Sequence, residues 1–172
     1  MLRIAVFLFV IQVALSEPPP AKCRGPPPIK VNPQECCKFP PVFKEEDFKE
    51  CGIEKPTDAE EKFKRGPPDC NKQICLLKRN DLMKDDSEVD KDAVTAFMDK
   101  WAEDNADFKD AVDKSIERCL KGDLPGPPNI CEPNKIVFCI TSTMFRECPN
   151  WQDTENCKKL KEHIEECKAY AP

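Results

Sequence analysis

Histidine occurs once in the 172 residues, at His163, and glycine only five times. A Ser/His/Asp or Cys/His catalytic set would have to run through that one imidazole. It lies in KEHIEEC, among charged neighbours on an expected surface helix, where a solvated histidine is the plain reading. Secreted phospholipases also carry a Cys-Cys pair, but they need a histidine just after it, and CCKFPPVF (36–43) has none. Alternation of Val, Ile or Thr is missing, which argues against strands, and no internal repeat occurs. Positive charge is in deficit, with 27 Lys+Arg against 32 Asp+Glu. That balance argues against nucleic acid, anionic lipid or heparin as partners, since each requires a basic patch.

Long apolar runs are also lacking, except at the start. MLRIAVFLFVIQVALS has one basic residue, Arg3, an apolar run from Ile4 to Leu15 and the small residue Ser16 before EPPPAK. The run is too short to span a bilayer and ends in a cleavage-like site, so residues 1–16 read as a secretory signal peptide and 17–172 as one domain. A secreted, extracellular protein without membrane insertion is expected, with a net charge near −6 once Arg3 is removed.

What is abundant is cysteine. Cys23, Cys36, Cys37, Cys51, Cys70 and Cys75 are followed by Cys119, Cys131, Cys139, Cys148, Cys157 and Cys167. In an oxidising compartment this even, high count reads as a framework of up to six disulfides. Zinc fits worse, because there is no compact CxxC pair and only one histidine. The acidic stretch DLMKDDSEVDKD (81–92) lacks the central glycine and the alternating ligand order of a calcium loop. It reads as a solvated helix start, capped by Ser87 or a nearby Asp. No carboxylate pair stands isolated in an apolar setting, as glycosidase chemistry would need. A non-enzyme with no metal and no cofactor is expected.

The remaining pattern is helical. Prolines in 17–42 argue for an extended arm whose fixed points are its three cysteines. KEEDFKEC (44–51) is helical in composition, and TDAEEKF (57–63) opens with a capping box, Thr57 and Glu60. Helices are expected over 70–84 and 87–105, the latter with Val94, Phe97, Met98 and Trp101 on one face. In 106–122, Phe108, Val112, Ile116, Cys119 and Leu120 recur three or four apart before Gly122 and prolines end the pattern. The most apolar helix follows over 134–148, with Pro133 in its first turn. A last helix over 153–170 has Cys157, Leu160, Ile164 and Cys167 as its inner stripe. The fold expected is all-α: one compact, disulfide-rich domain of about six or seven short helices around an apolar cavity, with a proline-rich N-terminal arm and an extra C-terminal helix.

A mature chain of about 156 residues buries enough surface to fold without six bridges. A cavity offers a reason for them. An unfilled pocket of roughly 300 Å³ costs about 7 kcal/mol at roughly 24 cal/mol per Å³, which disulfides at about 2–4 kcal/mol each can offset.

The cysteine order resembles that of the insect odorant-binding proteins, in particular the Plus-C subgroup, which adds cysteines to the common six and has a proline after the sixth. Cys51 stands as the first cysteine, and Cys70 and Cys75 as the close pair, though NKQI between them is four residues where three are usual. Cys119 follows after 43 residues, and Cys139 and Cys148 enclose the eight residues ITSTMFRE, with Pro149 next. The match spans residues 23–167. Pairing first to third, second to fifth and fourth to sixth, as the resemblance implies, gives Cys51–Cys75, Cys70–Cys139 and Cys119–Cys148. Cys23, Cys36 and Cys37 are then expected to pair with Cys131, Cys157 and Cys167, clamping the arm to the last helix.

The resemblance implies a carrier of small hydrophobic molecules, such as odorants, pheromones or other semiochemicals, through an aqueous lymph. Candidate partners beyond the ligand are an odorant receptor and a second copy of the chain. Candidate wall residues are Phe97 and Trp101, then Phe108, Val112 and Ile116, then Ile136, Val137, Ile140, Met144 and Phe145. Met144 suits an adaptable pocket. The rival is a disulfide-rich secreted protease inhibitor or signalling protein that acts through an exposed loop such as KGDLPGPPN (121–129) and has a solid core. With His163 the only side chain of its type, histidine-driven release in acid is not expected. Affinity for an apolar ligand, measured from neutral pH to about pH 5, should show no fall that His163→Ala abolishes.

Overall fold

The computed structural model describes residues 18–25, 27, 31–53, 69–122, 124 and 126–170. The expected leader (1–16) and the Thr57-capped helix lie outside these. The described residues form seven α-helices and no strand: α1 Pro33–Cys36, α2 Glu45–Glu50, α3 Cys70–Arg79, α4 Lys91–Asp104, α5 Lys109–Ile116, α6 Glu132–Arg146 and α7 Glu155–Cys167. α6 packs against both α3 and α5, α4 against α5, α2 against α3, and α1 against α7.

Helix ends follow local chemistry and differ in places from the periodicity. The arm is not extended throughout: Pro33 occupies the first turn of α1, where a missing N–H costs nothing, and the Asn32 side chain accepts from the Gln34 N–H. α3 stops at Arg79, five residues short of the expected end. Asp81 adopts a left-handed backbone (φ 56°), and the Leu82 and Asp81 N–H groups donate back to Leu77 and Lys78 carbonyls at 3.0 and 3.1 Å. α4 starts at Lys91 rather than 87, because Asp90 caps it by accepting from the Asp92 and Ala93 N–H groups. The preceding acidic stretch is a turn in which the Asp85 carboxylate accepts from the Ser87 and Glu88 N–H groups. α5 widens into a π turn, Glu117–Lys121, that carries Cys119.

The central core joins Leu77 of α3, Val94 and Met98 of α4, Val112 and Ile116 of α5, and Ile136, Ile140 and Met144 of α6. Two satellite clusters surround the adjacent cysteines Cys36 and Cys37. One holds Cys36, Cys157 and Leu160, and the other Cys37, Phe108 and Cys148, with Phe145 and Trp151 packed against both.

Six bridges form: Cys51–Cys75, Cys70–Cys131, Cys119–Cys139, Cys37–Cys148, Cys36–Cys157 and Cys23–Cys167. Cys51–Cys75 is as expected, whereas the expected Cys70–Cys139 and Cys119–Cys148 are replaced. The connectivity rule itself holds, first to third, second to fifth and fourth to sixth, but the fifth and sixth cysteines are Cys131 and Cys139. The reason is position along α6, whose 15 residues span about 22 Å. Cys131 caps its start beside the N-terminus of α3, and Cys139 at mid-helix meets the π turn with a Cα–Cα separation of 5.8 Å. Cys148 lies past the far end, beside Cys37. Three N-terminal cysteines therefore pair in nested order with Cys148, Cys157 and Cys167, so the arm is clamped to the C-terminal helix, with Cys148 in the place expected for Cys131.

Glu147 ends α6 between two lysines, accepting from Lys114 of α5 at 2.5 Å and pairing with Lys168, just past α7, at 2.9 Å. The hydrogen bond from Lys114, reinforced by Lys168, holds the Glu147 carboxyl below the usual carboxylate range. A pKa lower in the folded chain means stability that is present above the unfolded value, near 4.3, and lost as pH falls through the folded one. Glu147→Gln should cost about 0.5–1 kcal/mol per pair at pH 7 and lower the melting temperature by a few degrees, on the order of 2–4 °C per kcal/mol. Thermal melts of the oxidised protein at about pH 2 should show no difference between the two.

Candidate functional site

An apolar recess opens between the end of the arm, α3, α4 and α6. Val42 and Phe43 come from the segment that leads into α2, and Leu77 and Leu82 from the end of α3 and the turn that closes it. Val94, Phe97 and Met98 are supplied by α4 at three- and four-residue intervals, and Ile136, Val137, Ile140 and Thr141 by α6 in the same way. The recess contains about 350 Å³ of empty space, counting what is open to solvent, but the cavity within it is only about 20 Å³. That is room for about one water molecule.

Its chemistry is uniform. The one polar side chain, Thr141, has its hydroxyl directed to its own helix, donating to the Val137 carbonyl at 2.8 Å with the Phe138 carbonyl at 3.2 Å. No titratable group lines the wall among the described residues. Such a surface offers burial of apolar area, at about 25 cal/mol per Å², and no specific hydrogen bond.

Aromatic contacts set the mouth. Phe43 stacks on Phe97 with centroids 5.6 Å apart and planes 19° from parallel, and meets Phe48 edge-on at 6.1 Å. Further along the same strip, the Trp101 indole N–H donates to the Pro41 carbonyl at 3.2 Å. Phe39 and Trp101 both approach Phe108 edge-on, at 6.4 and 5.8 Å.

Of the sequence-derived wall residues, Phe97, Ile136, Val137 and Ile140 meet at the recess. Val112, Ile116 and Met144 lie deeper, in the central core. Phe108 packs by the Cys37–Cys148 bridge, with Trp101 between that cluster and the core. Phe145 sits against Trp151 at 5.2 Å. Val94 and Met98 were legible on the α4 stripe, and Leu77 follows α3 periodicity. Phe43, Val42 and Leu82 sit in non-helical segments, where periodicity carries no signal.

What the fold and recess define is a disulfide-stapled, all-helical domain with a small apolar site. No family model matches the chain. It is 24% identical over 181 residues to general odorant-binding protein 68 of Anopheles gambiae, a similarity that covers 96% of this chain and 84% of the mosquito protein. The chain is thus similar to an insect odorant-binding protein along nearly its whole length.

Met98, 2% exposed, forms the floor of the recess. Met98→Ala should cost about 2–5 kcal/mol, read as a lower midpoint in denaturant under non-reducing conditions.

Proposed function

We propose that the protein is a secreted carrier that binds small hydrophobic molecules non-covalently and transports them through an aqueous lymph, odorants, pheromones or other semiochemicals being the class. The observation that carries this reading is the similarity to an odorant-binding protein along nearly the whole chain. The recess supplies a matching chemistry, since an apolar volatile gains by leaving water for a wall without polar demands. The leader-like residues 1–16 and the six bridges support secretion, and no helix among the described residues is long and apolar enough to cross a membrane. Plus-C membership rests on the six cysteines beyond the core six; Pro149 follows Cys148, which the bridges place outside that core, so it does not bear on the subgroup.

A second reading, a secreted inhibitor or signalling protein acting through its surface, is favoured by the cavity of about 20 Å³, which as it stands holds nothing larger than water. One titration separates the two. The oxidised mature protein should bind an environment-sensitive apolar dye saturably, near one to one and in the micromolar range, and release it to long-chain alcohols, esters or aromatics. A correctly bridged protein that binds no dye would favour the surface reading.

A further inference from the structure

Phe43 is one wall of the recess and stands stacked on Phe97, a second wall residue. Phe43 is delivered by residues 38–44, which form no helix. The segment is anchored upstream by Cys37–Cys148 and downstream by α2, where Cys51–Cys75 begins. Between these anchors it is held by the Pro41–Trp101 hydrogen bond and by ring contacts. The opposite walls are helix residues, and α6 is pinned to its neighbours by Cys70–Cys131 and Cys119–Cys139. Widening the site by moving α6 would strain two bridges. Moving Phe43 exposes one ring and breaks its stack on Phe97 and its edge contact with Phe48 but strains no bridge, so it is the cheaper route.

We propose that Phe43 is the resident plug of the site, and that the ligand is an apolar, ring-bearing molecule without a carboxylate, which takes the place of Phe43 on the face of Phe97. This rests on the carrier reading and names its ligand class. A surface already shaped by a stacked ring, at 19° from parallel, accepts another flat ring in the same pose. The Thr141 hydroxyl is committed to its own helix, and no cation lines the wall among the described residues. A carboxylate placed there would be desolvated without a partner, which is costly.

The test uses the oxidised mature protein and Phe43→Ala, each checked for six bridges by mass. N-phenyl-1-naphthylamine is the probe, and 1-phenylhexane and 6-phenylhexanoate are the competitors at pH 7. Removing the plug should tighten 1-phenylhexane by about 2- to 10-fold, the worth of one aromatic stack. The parent should prefer 1-phenylhexane to the carboxylate by at least about tenfold. Amide exchange on the parent gives a reading independent of the variant: Phe39, Val42, Phe43 and Lys44 should exchange faster when 1-phenylhexane saturates the site. Unchanged or weaker binding by Phe43→Ala, equal affinity for the carboxylate, or slower exchange in that segment would each overturn the plug while leaving the carrier reading in place. Failure of both proteins to bind the probe, with all bridges formed, would overturn the carrier reading and the plug together.

Discussion

The adjacent cysteines Cys36 and Cys37 are the constraint on which the rest of the molecule depends. Consecutive residues reach two different partners, Cys157 in α7 and Cys148 past α6, so the chain is fixed in direction at this point. The Gln152 N–H donates to the Cys36 carbonyl at 2.9 Å and adds a backbone tie. From there the following residues run past the start of α5 and along α4, which lays Phe39, Pro41 and Phe43 in turn on Phe108, Trp101 and Phe97. An arm that looks structureless in composition thereby becomes one wall of the apolar site.

The same arrangement explains why the site is small. The expectation was of an unfilled pocket of roughly 300 Å³ among the helices, offset by disulfide stabilisation. In the structure the arm supplies one wall, Val42 and Phe43, of a recess whose cavity is only about 20 Å³, so the cavity penalty is small and the bridges fasten the arm in place. A pocket closed by its own aromatic ring is stable without ligand, and it presents a ligand with a ring contact to replace.

Much of the helical plan was legible from periodicity. The faces of α4, α5 and α6 were visible because apolar residues three or four apart must share one side of a helix, and Val94, Met98, Val112, Ile116, Ile136 and Ile140 are indeed in the core. The boundaries were less legible. Asp81 ends α3 by taking a left-handed conformation, and of the caps expected for α4, Ser87 or a nearby Asp, the structure uses Asp90, so the helix starts four residues later than the pattern suggested. The connectivity rule that the family resemblance implies held, but the eight-residue gap pointed to Cys139 and Cys148 where the structure uses Cys131 and Cys139. Spacing along the chain does not say which end of a helix faces which neighbour.

The sequence by itself determined the class: all-helical, cross-linked and acidic. These follow from composition and period, which act locally or through the chain as a whole. Tertiary structure decided which cysteines meet Cys70, Cys119 and Cys37 and, above all, the placement of Phe43. Its position is set by bridges to Cys148 and Cys75, which anchor its segment from sites 111 and 24 residues away from their partners. A contact imposed by distant covalent anchors has no local signature, so it becomes visible only when the chain is closed on itself.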